Sequence, residues 1–410
     1  MNQASVSRWR VCIGSGIVVA MGGVQIWGST LGIFMLPLQQ SFGWTRADIA
    51  LGITCMTFTV PVLAPLAGWM IDRVDLRRMV LVSLALQVGL LATAGQVGSQ
   101  IVGFYALCVA MAVVSFGASA LPLSKIVMHW FDDGRGRALG LMFALASLGP
   151  VVHPLVAQAL IAQFGWRAAY HWMAVMVALV GGLVAWFCVY DRVAAAAPPS
   201  PTVVTTAAPP TTTGMLDLML DPAWWALAAW VALYAFGFGL IGLHLVPMLS
   251  DRGASPAQAA MAMSLLGVGV LAGNVIAGAL LDKLPARPTA SALMLAPVMA
   301  ALILQNAPGV QSGIAACVLL GLAAGGESSA LTYLVGRCFA PQLYGRAYAL
   351  QTVPLALAAG VGPWLSGVLY GRAGNYELPL GIAATAFALA ALAPWLLARD
   401  RVAPHLLRSA

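Results

Sequence analysis

Gly68-Trp-Met-Ile-Asp-Arg-Val-Asp-Leu-Arg-Arg78 returns in weakened form as Gly278-Ala-Leu-Leu-Asp-Lys-Leu-Pro-Ala-Arg287. Asp72 and Arg73 of the first copy match Asp282 and Lys283 of the second, 210 residues on. Each copy sits where a long apolar run stops at charge, as at a membrane boundary. The repeat reaches further: Gly43 matches Gly253 at the same offset, and Arg137 matches Arg346 and Gly165 matches Gly374 at 209. An offset kept through four junctions, across loops free to change length, marks a duplicated unit. A duplicated set of such runs is expected to form two similar bundles in one membrane. That limits function to moving something across a bilayer.

Composition agrees. Hydrophobic residues make up 61% of the 410 and charged residues only 8%, against about 25% charged in a soluble domain. Apolar runs of roughly 20 residues, the length needed to cross ~30 Å of hydrocarbon, follow one another with short polar breaks. They fall at about 11–38, 48–70, 79–98, 101–124, 138–161, 168–190, 223–249, 257–281, 289–305, 311–336, 346–370 and 376–398. The fold class expected is an all-α membrane protein of twelve transmembrane helices in two six-helix bundles. The Arg8-Trp-Arg10 start reads as the flank of the first span and not as a signal peptide, because the apolar run after it is too long for an h-region. The expected domains are an N-terminal bundle at 1–190, a cytoplasmic linker at 191–222 and a C-terminal bundle at 223–410. The stretch 194–213 is uncharged and rich in proline, threonine and alanine, so it reads as a flexible connection.

The net charge of +7 is explained by topology. With the N-terminus inside, sixteen lysines and arginines fall on the cytoplasmic side and four (Arg46, Arg167, Arg252 and Arg372) on the other. Such a positive-inside bias sets orientation, puts both termini in the cytoplasm and needs no nucleic-acid partner. The six cysteines are scattered with no metal-ligand spacing, so neither a metal nor a disulfide framework is expected, and no cofactor is implied. No catalytic constellation stands out, which argues against an enzyme.

At these residues the chain resembles the major facilitator superfamily of secondary transporters. The stretch Gly68…Asp72-Arg73…Arg77-Arg78 is similar to that superfamily's G-x-x-x-D-R-x-x-x-R motif. Several segments resemble its monocarboxylate-porter and oxalate/formate-antiporter branch: Phe42-Gly-Trp-Thr-Arg-Ala-Asp48, His129-Trp-Phe-Asp-Asp-Gly-Arg-Gly-Arg-Ala-Leu-Gly140, Phe164-Gly-Trp-Arg-Ala-Ala-Tyr170, His244-Leu-Val-Pro247 and Gly325-Gly-Glu327. The resemblance implies rocking of two bundles around a midplane site, with a small organic acid as substrate. It also implies a cavity lined mainly by the first, fourth, seventh and tenth spans, which makes Gln25, Ser119, Tyr234 and Glu327 candidate cavity residues. The chain departs from the branch in the eighth span. There Asn274 stands where such porters commonly carry the arginine that holds the substrate carboxylate.

The residues themselves single out Glu327, the one acidic side chain well inside an apolar run. An ionisable group at that depth costs about 2.5–3.5 kcal/mol on insertion scales and defaults to a functional reading. Burial disfavours its charged form, which suits proton coupling; a carboxyl paired permanently across helices is the alternative. His153, between Pro150 and Pro154, could bind substrate, relay a proton or cap its own broken helix. Tyr333 and Gln351 join the candidate substrate contacts with Asn274. Lys125 and His244 are candidate anion contacts, Lys125 otherwise snorkelling to the interface and His244 otherwise serving as a gate. Asp72, Arg73, Arg77, Asp282 and Lys283 are expected to form a conformational gate. The expected protein is thus a monomeric, multi-pass transporter of a bacterial inner membrane, moving a mono- or aromatic carboxylate with a proton. Proton-coupled efflux of drugs or metabolites and a transporter-like sensor are the rival readings.

Overall fold

A computed structural model describes residues 7–131, 133–191, 215–340 and 343–398. The expected linker stretch 194–213 lies outside the described residues, as does the side chain of Asp72. Eleven apolar helical segments among the described residues are long enough to cross a membrane, and one, Arg135–Cys188, runs for 54 residues. At 1.5 Å per residue that segment would reach about 81 Å, well over twice the hydrocarbon thickness. It breaks at Gly165, whose φ of 77° and ψ of 163° are non-helical. Divided there, the eleven segments give the twelve crossings read from the sequence.

Span one is α1 (Arg8–Ala20) with α2 (Gly23–Phe42), and span two is α3 (Arg46–Arg73). Span three is α4 (Leu76–Ala94), and span four is α5 (Ile101–Ser115) with α6 (Ala120–Trp130). Spans five and six are α7 (Arg135–Ala146), α8 (Leu148–Met176) and α9 (Leu183–Cys188). The last residues of the expected linker form a short helix, α10 (Met215–Leu220). Span seven is α11 (Pro222–Gly242) with α12 (Leu245–Asp251), span eight α13 (Pro256–Lys283), and span nine α14 (Ala286–Leu293) with α15 (Leu295–Asn306). Spans ten to twelve are α16 (Val310–Cys338), α17 (Tyr344–Ala373) and α18 (Glu377–Leu392).

The duplication is built into the helix ends. Helices α3 and α13 have 28 residues each. Each opens on a capping box, Thr45 with Asp48 and Ser255 with Gln258, which pairs two otherwise orphaned backbone N–H groups reciprocally. The chain enters both through left-handed glycines, Gly43 at φ 70° and Gly253 at φ 85°. At the other end of these helices Arg77 donates to the Trp186 carbonyl at 2.8 Å, and Arg287, its counterpart, to the Trp395 carbonyl at 3.5 Å. Buried side chains fall into two clusters, one drawn from residues 11–190 and one from 218–397 that also takes in Ile33 of α2.

Inside the second bundle α13 and α16 approach most closely. Gly269-x-x-x-Gly273 faces Gly321-x-x-x-Gly325, and a Cβ on Gly273 or Gly325 would run into the carbonyls of Leu322 and Val270 respectively. Without a hydrophobic force between helices in lipid, such small-residue seams let backbones pack by dispersion and short polar contacts.

The alternation of spans gathers Arg73, Arg77, Lys125 and Lys283 at one end, the basic end. Arg46, Asp251 and Tyr376 lie at the opposite end. The halves meet along α3 with α17 and α8 with α13. Thr54 donates to the Gly360 carbonyl at 2.6 Å, and Gly367 lies against the backbone of Ala47 and Gly267 against that of Pro150 and Val151. These contacts run from mid-membrane to the opposite end. Nearer the basic end the same helices expose Leu66 (52%) and Val275 (73%).

Candidate transport site

Two residues beyond the glycine seam, α16 presents Glu327. The side chain is 5% exposed, and its Oε1 has no protein hydrogen-bond partner. Tyr234 of α11 and Tyr348 of α17 lie close enough to interact with it electrostatically. The Tyr234 hydroxyl, too, is buried without a protein partner, as is the indole N–H of Trp230. Trp230 lies four residues earlier, on the same face of α11. Buried polar atoms are normally paired, so a carboxyl and a phenol left unpaired side by side form a place where a proton or a ligand can be accommodated.

Asn274 lies beside this carboxyl but is committed to the seam. Its Oδ1 accepts from Ser329 at 2.9 Å and from Ser328 at 3.3 Å, and its Nδ2 donates to the Val270 carbonyl at 3.1 Å. The position where an arginine was expected thus carries an amide that pins α13 to α16.

In the first bundle two spans break at the same depth. Span one is interrupted at Met21 and Gly22 between α1 and α2. Span four is interrupted by a 3-10 turn at Phe116–Ala118 and an extended Ser119. A glycine is required at 23, because a Cβ there would strike the Ser115 hydroxyl. Non-helical backbone at this depth is tolerated where it is enclosed by protein or lines a cavity. A cavity of about 340 Å³ lies here, lined by Gln25, Ser115 and Ser119 together with Val24, Val60 and Leu63. His153, fully buried on α8, has Nδ1 3.4 Å from the Ser29 hydroxyl and Nε2 without a protein partner.

The structure therefore brings Gln25 and Ser119 to one cavity and Glu327 and Tyr234 within electrostatic reach of each other. The remaining candidates are placed elsewhere. Gln351 is buried, with Nε2 donating to the Trp224 carbonyl at 3.0 Å, so it braces α17 against the first turn of α11. Tyr333 lies under Arg337, whose guanidinium carbon is 5.9 Å from its ring centre. Lys125 donates to the Ile71 carbonyl at 3.2 Å, at the basic end of α3. Arg73 stacks on Trp69 at 5.0 Å and Arg77 on Tyr190 at 4.2 Å, so both engage their own bundle. Asp282 and Lys283 are exposed at the end of α13.

One constellation was not singled out from the sequence. At the opposite end Arg46 of α3 makes a two-pronged ion pair with Asp251 of α12, Nη1 to Oδ2 at 2.7 Å and Nη2 to Oδ1 at 2.9 Å. Nη1 also donates to the Tyr376 hydroxyl at 2.7 Å, and the guanidinium carbon sits 4.0 Å from the centre of the Tyr370 ring. The Tyr376 oxygen is 3.1 Å from His244 Nδ1, and His244 Nε2 is 2.8 Å from the Pro363 carbonyl. This chain crosses between the bundles. Its sequence signals were separate ones: Arg46 as one of few cations on the sparsely charged side, and His244 as a candidate anion contact or gate.

The chain as a whole matches known proteins. The sequence profile of the Major Facilitator Superfamily covers residues 15–245 and 227–410. The chain belongs to that superfamily. Monocarboxylate transporter 3 of Rattus norvegicus is 27% identical over 378 residues, 87% of this chain and 73% of its own length. MFS-type transporter hasB of Aspergillus fumigatus is 28% identical over 36% of this chain. The chain spans 33% of the length of hasB and 52% of that of MFS-type transporter pytF of Aspergillus terreus. Among solved structures, a bacterial homolog to the human lysosomal transporter Spinster superposes with a TM-score of 0.69 at 17% identity, covering 96% of this chain and 98% of that one. This superfamily member therefore has the major facilitator fold, with apolar helices long enough to cross a membrane.

Proposed function

We propose that the protein carries a small organic acid, a mono- or aromatic carboxylate, across a bacterial inner membrane together with a proton. The Glu327 carboxyl near Tyr234 carries the proposal: its Oε1 is buried without a protein partner, so that oxygen can gain or lose a proton without breaking a bond that holds the fold. The likeness to monocarboxylate transporter 3 over most of both chains supports a carboxylate as cargo. In this reading the basic end and both termini face the cytoplasm, the protein works as a monomer, and it alternates between inward and outward openings.

The described arrangement then corresponds to the inward-open state. The halves are joined at the outer end through Arg46 and along α3 and α17, while Arg73 and Arg77, among the described residues, engage their own bundle. Gln25 and Ser119 from one half and Tyr234 and Glu327 from the other are the candidate substrate contacts, with His153 as a further polar group. The Asp72 and Asp282 junctions would join the halves when the inner end closes.

Uptake of labelled monocarboxylates into proteoliposomes, driven by an inward proton gradient, tests the reading. Glu327→Gln is expected to abolish gradient-driven accumulation while leaving substrate exchange at equal pH on the two sides. Undiminished accumulation in that variant would remove Glu327 from the coupling step.

A further inference from the structure

The contacts around Arg46 do more than hold one end shut. A phenol carries one hydrogen, and Tyr376 accepts from Arg46 Nη1, so its own O–H is free to donate to His244 Nδ1. His244 must then hold its ring hydrogen on Nε2, where it donates to the Pro363 carbonyl. With Tyr376 donating, the imidazole is neutral; an imidazolium would instead donate its Nδ1–H to the same phenol oxygen. The groups facing His244 are Arg46 from α3, Asp251 from its own α12, Tyr370 from α17 and Tyr376 from the turn before α18; Arg252, next to Asp251, interacts with Cys317 of α16. Arg46 and Asp251 neutralise each other beside His244, and Arg252 and Glu377 add one charge of each sign in the adjoining cavity, so the surround is balanced as long as His244 stays uncharged.

A cavity of about 260 Å³ at the same end is lined by Asp251, Arg252, Tyr370, Tyr376 and Glu377. Tyr376 is among its lining residues, and a space of this volume with polar walls is roomy enough to hold water. The duplicated half has no second copy of the device: Pro256 stands 210 residues after Arg46, where a reciprocal arginine would be.

We propose that Arg46, Asp251, Tyr376 and His244 form a latch on the outer end that a proton arriving from that side releases. The proton reaches the Tyr376 oxygen from cavity water as the phenol passes its own hydrogen to His244 Nδ1, so the phenol is restored and the imidazole gains one positive charge. Tyr376 can no longer donate to Nδ1. Its oxygen now stands between two cationic donors, the imidazolium and Arg46, which repel in a buried setting. Relief comes from separating α3 from α12 and the turn before α18, which opens the outer end. The inference rests on the alternating-access reading above, but it does not require Glu327.

Spin labels at Gln100 and Ala373, both exposed at the outer end on different halves, report the opening by double electron–electron resonance. The full chain is used in lipid nanodiscs, with native cysteines replaced. Between about pH 8 and pH 5.5 the ratio of long to short distances should rise, by up to about tenfold per pH unit, the limit for one coupled proton. His244→Gln, and independently Tyr376→Phe, which spares the Arg46–Asp251 pair, should abolish that response. Arg46→Gln should give long distances at every pH. Glu327→Gln should keep the response, which separates the latch from the coupling carboxyl. A response that survives in both His244→Gln and Tyr376→Phe, or one that is lost in Glu327→Gln, overturns the proposal. So does an Arg46→Gln protein that stays short at every pH while substrate still opens it.

Discussion

Arg46 and Asp251, 205 residues apart in the chain, face each other through two parallel hydrogen bonds of 2.7 and 2.9 Å and so bind the two bundles at one end. Paired forks of this kind are specific to arginine, whose planar guanidinium matches a carboxylate in a way a lysine ammonium cannot. Arg46 is 8% exposed but Asp251 is 39% exposed, so the pair is shielded on the arginine side and partly screened by solvent and salt on the carboxylate side.

Arg46→Lys keeps the charge but loses the fork and the stacking on Tyr370. Uptake by this variant should fall between wild type and Arg46→Ala, with weakened closure of the outer end. The distance between spin labels at Gln100 and Ala373 reports that closure. Lysine behaving like wild type in both assays would show that charge alone holds the latch.

The glycine seam predicts a stability effect with no role in recognition. Gly325→Leu forces α13 and α16 apart, since there is no room for even a Cβ beside the Val270 carbonyl. Overpacking of this kind typically destabilises by about 1–3 kcal/mol. The thermal unfolding temperature in detergent should drop by several degrees, and the variant should accumulate poorly in the membrane. Gly278→Ala, at a position with open space around it, should melt like wild type.

Asn274 separates two roles. As an anchor for Ser328 and Ser329 its loss should cost under about 1 kcal/mol, the usual worth of an interhelical hydrogen bond in a membrane. Asn274→Ala should then lower the melting temperature slightly and leave the KM for uptake unchanged. A large rise in KM without loss of stability would instead make Asn274 a substrate contact.

The cavity beside Gln25 and Ser119 is tested by filling it. Ser119→Leu adds an apolar branch where span four is broken. It should raise the KM by about tenfold, equivalent to about 1.4 kcal/mol, if substrate occupies this space. Ser115→Ala, which only removes a hydroxyl bonded to its own helix at Met111, should have little effect. Equal KM values for Ser119→Leu and wild type would place the substrate elsewhere.

Much of the architecture was legible because its causes are local. The breaks between apolar runs, the capping residues Thr45 and Ser255 and the left-handed glycines at 43, 165, 253 and 374 each act within a few residues of themselves. The Gly269/Gly273 and Gly321/Gly325 pairs carried a readable signal too, two small residues four apart, but only the packing of α13 on α16 gave it meaning. Among candidate site residues, Glu327 could be found because a lone carboxyl in an apolar run is conspicuous without knowledge of its neighbours. Gln351 and Asn274 looked similar to cavity residues on the same criterion. Polarity at membrane depth does not distinguish a side chain facing a cavity from one bonded to the backbone of the next helix.

The sequence by itself determined the number of spans, their duplication and the asymmetry of charge between the two ends, since hydropathy and helix capping are summed over neighbours in the chain. Only the tertiary structure decided that Arg46 meets Asp251, that Tyr376 links it to His244, and that Glu327 lies by Tyr234 without a bond. Those relations join residues far apart in the chain, and they follow from how two packed bundles lean on each other. That choice is set by contacts along α3 with α17 and α8 with α13, which no single span encodes.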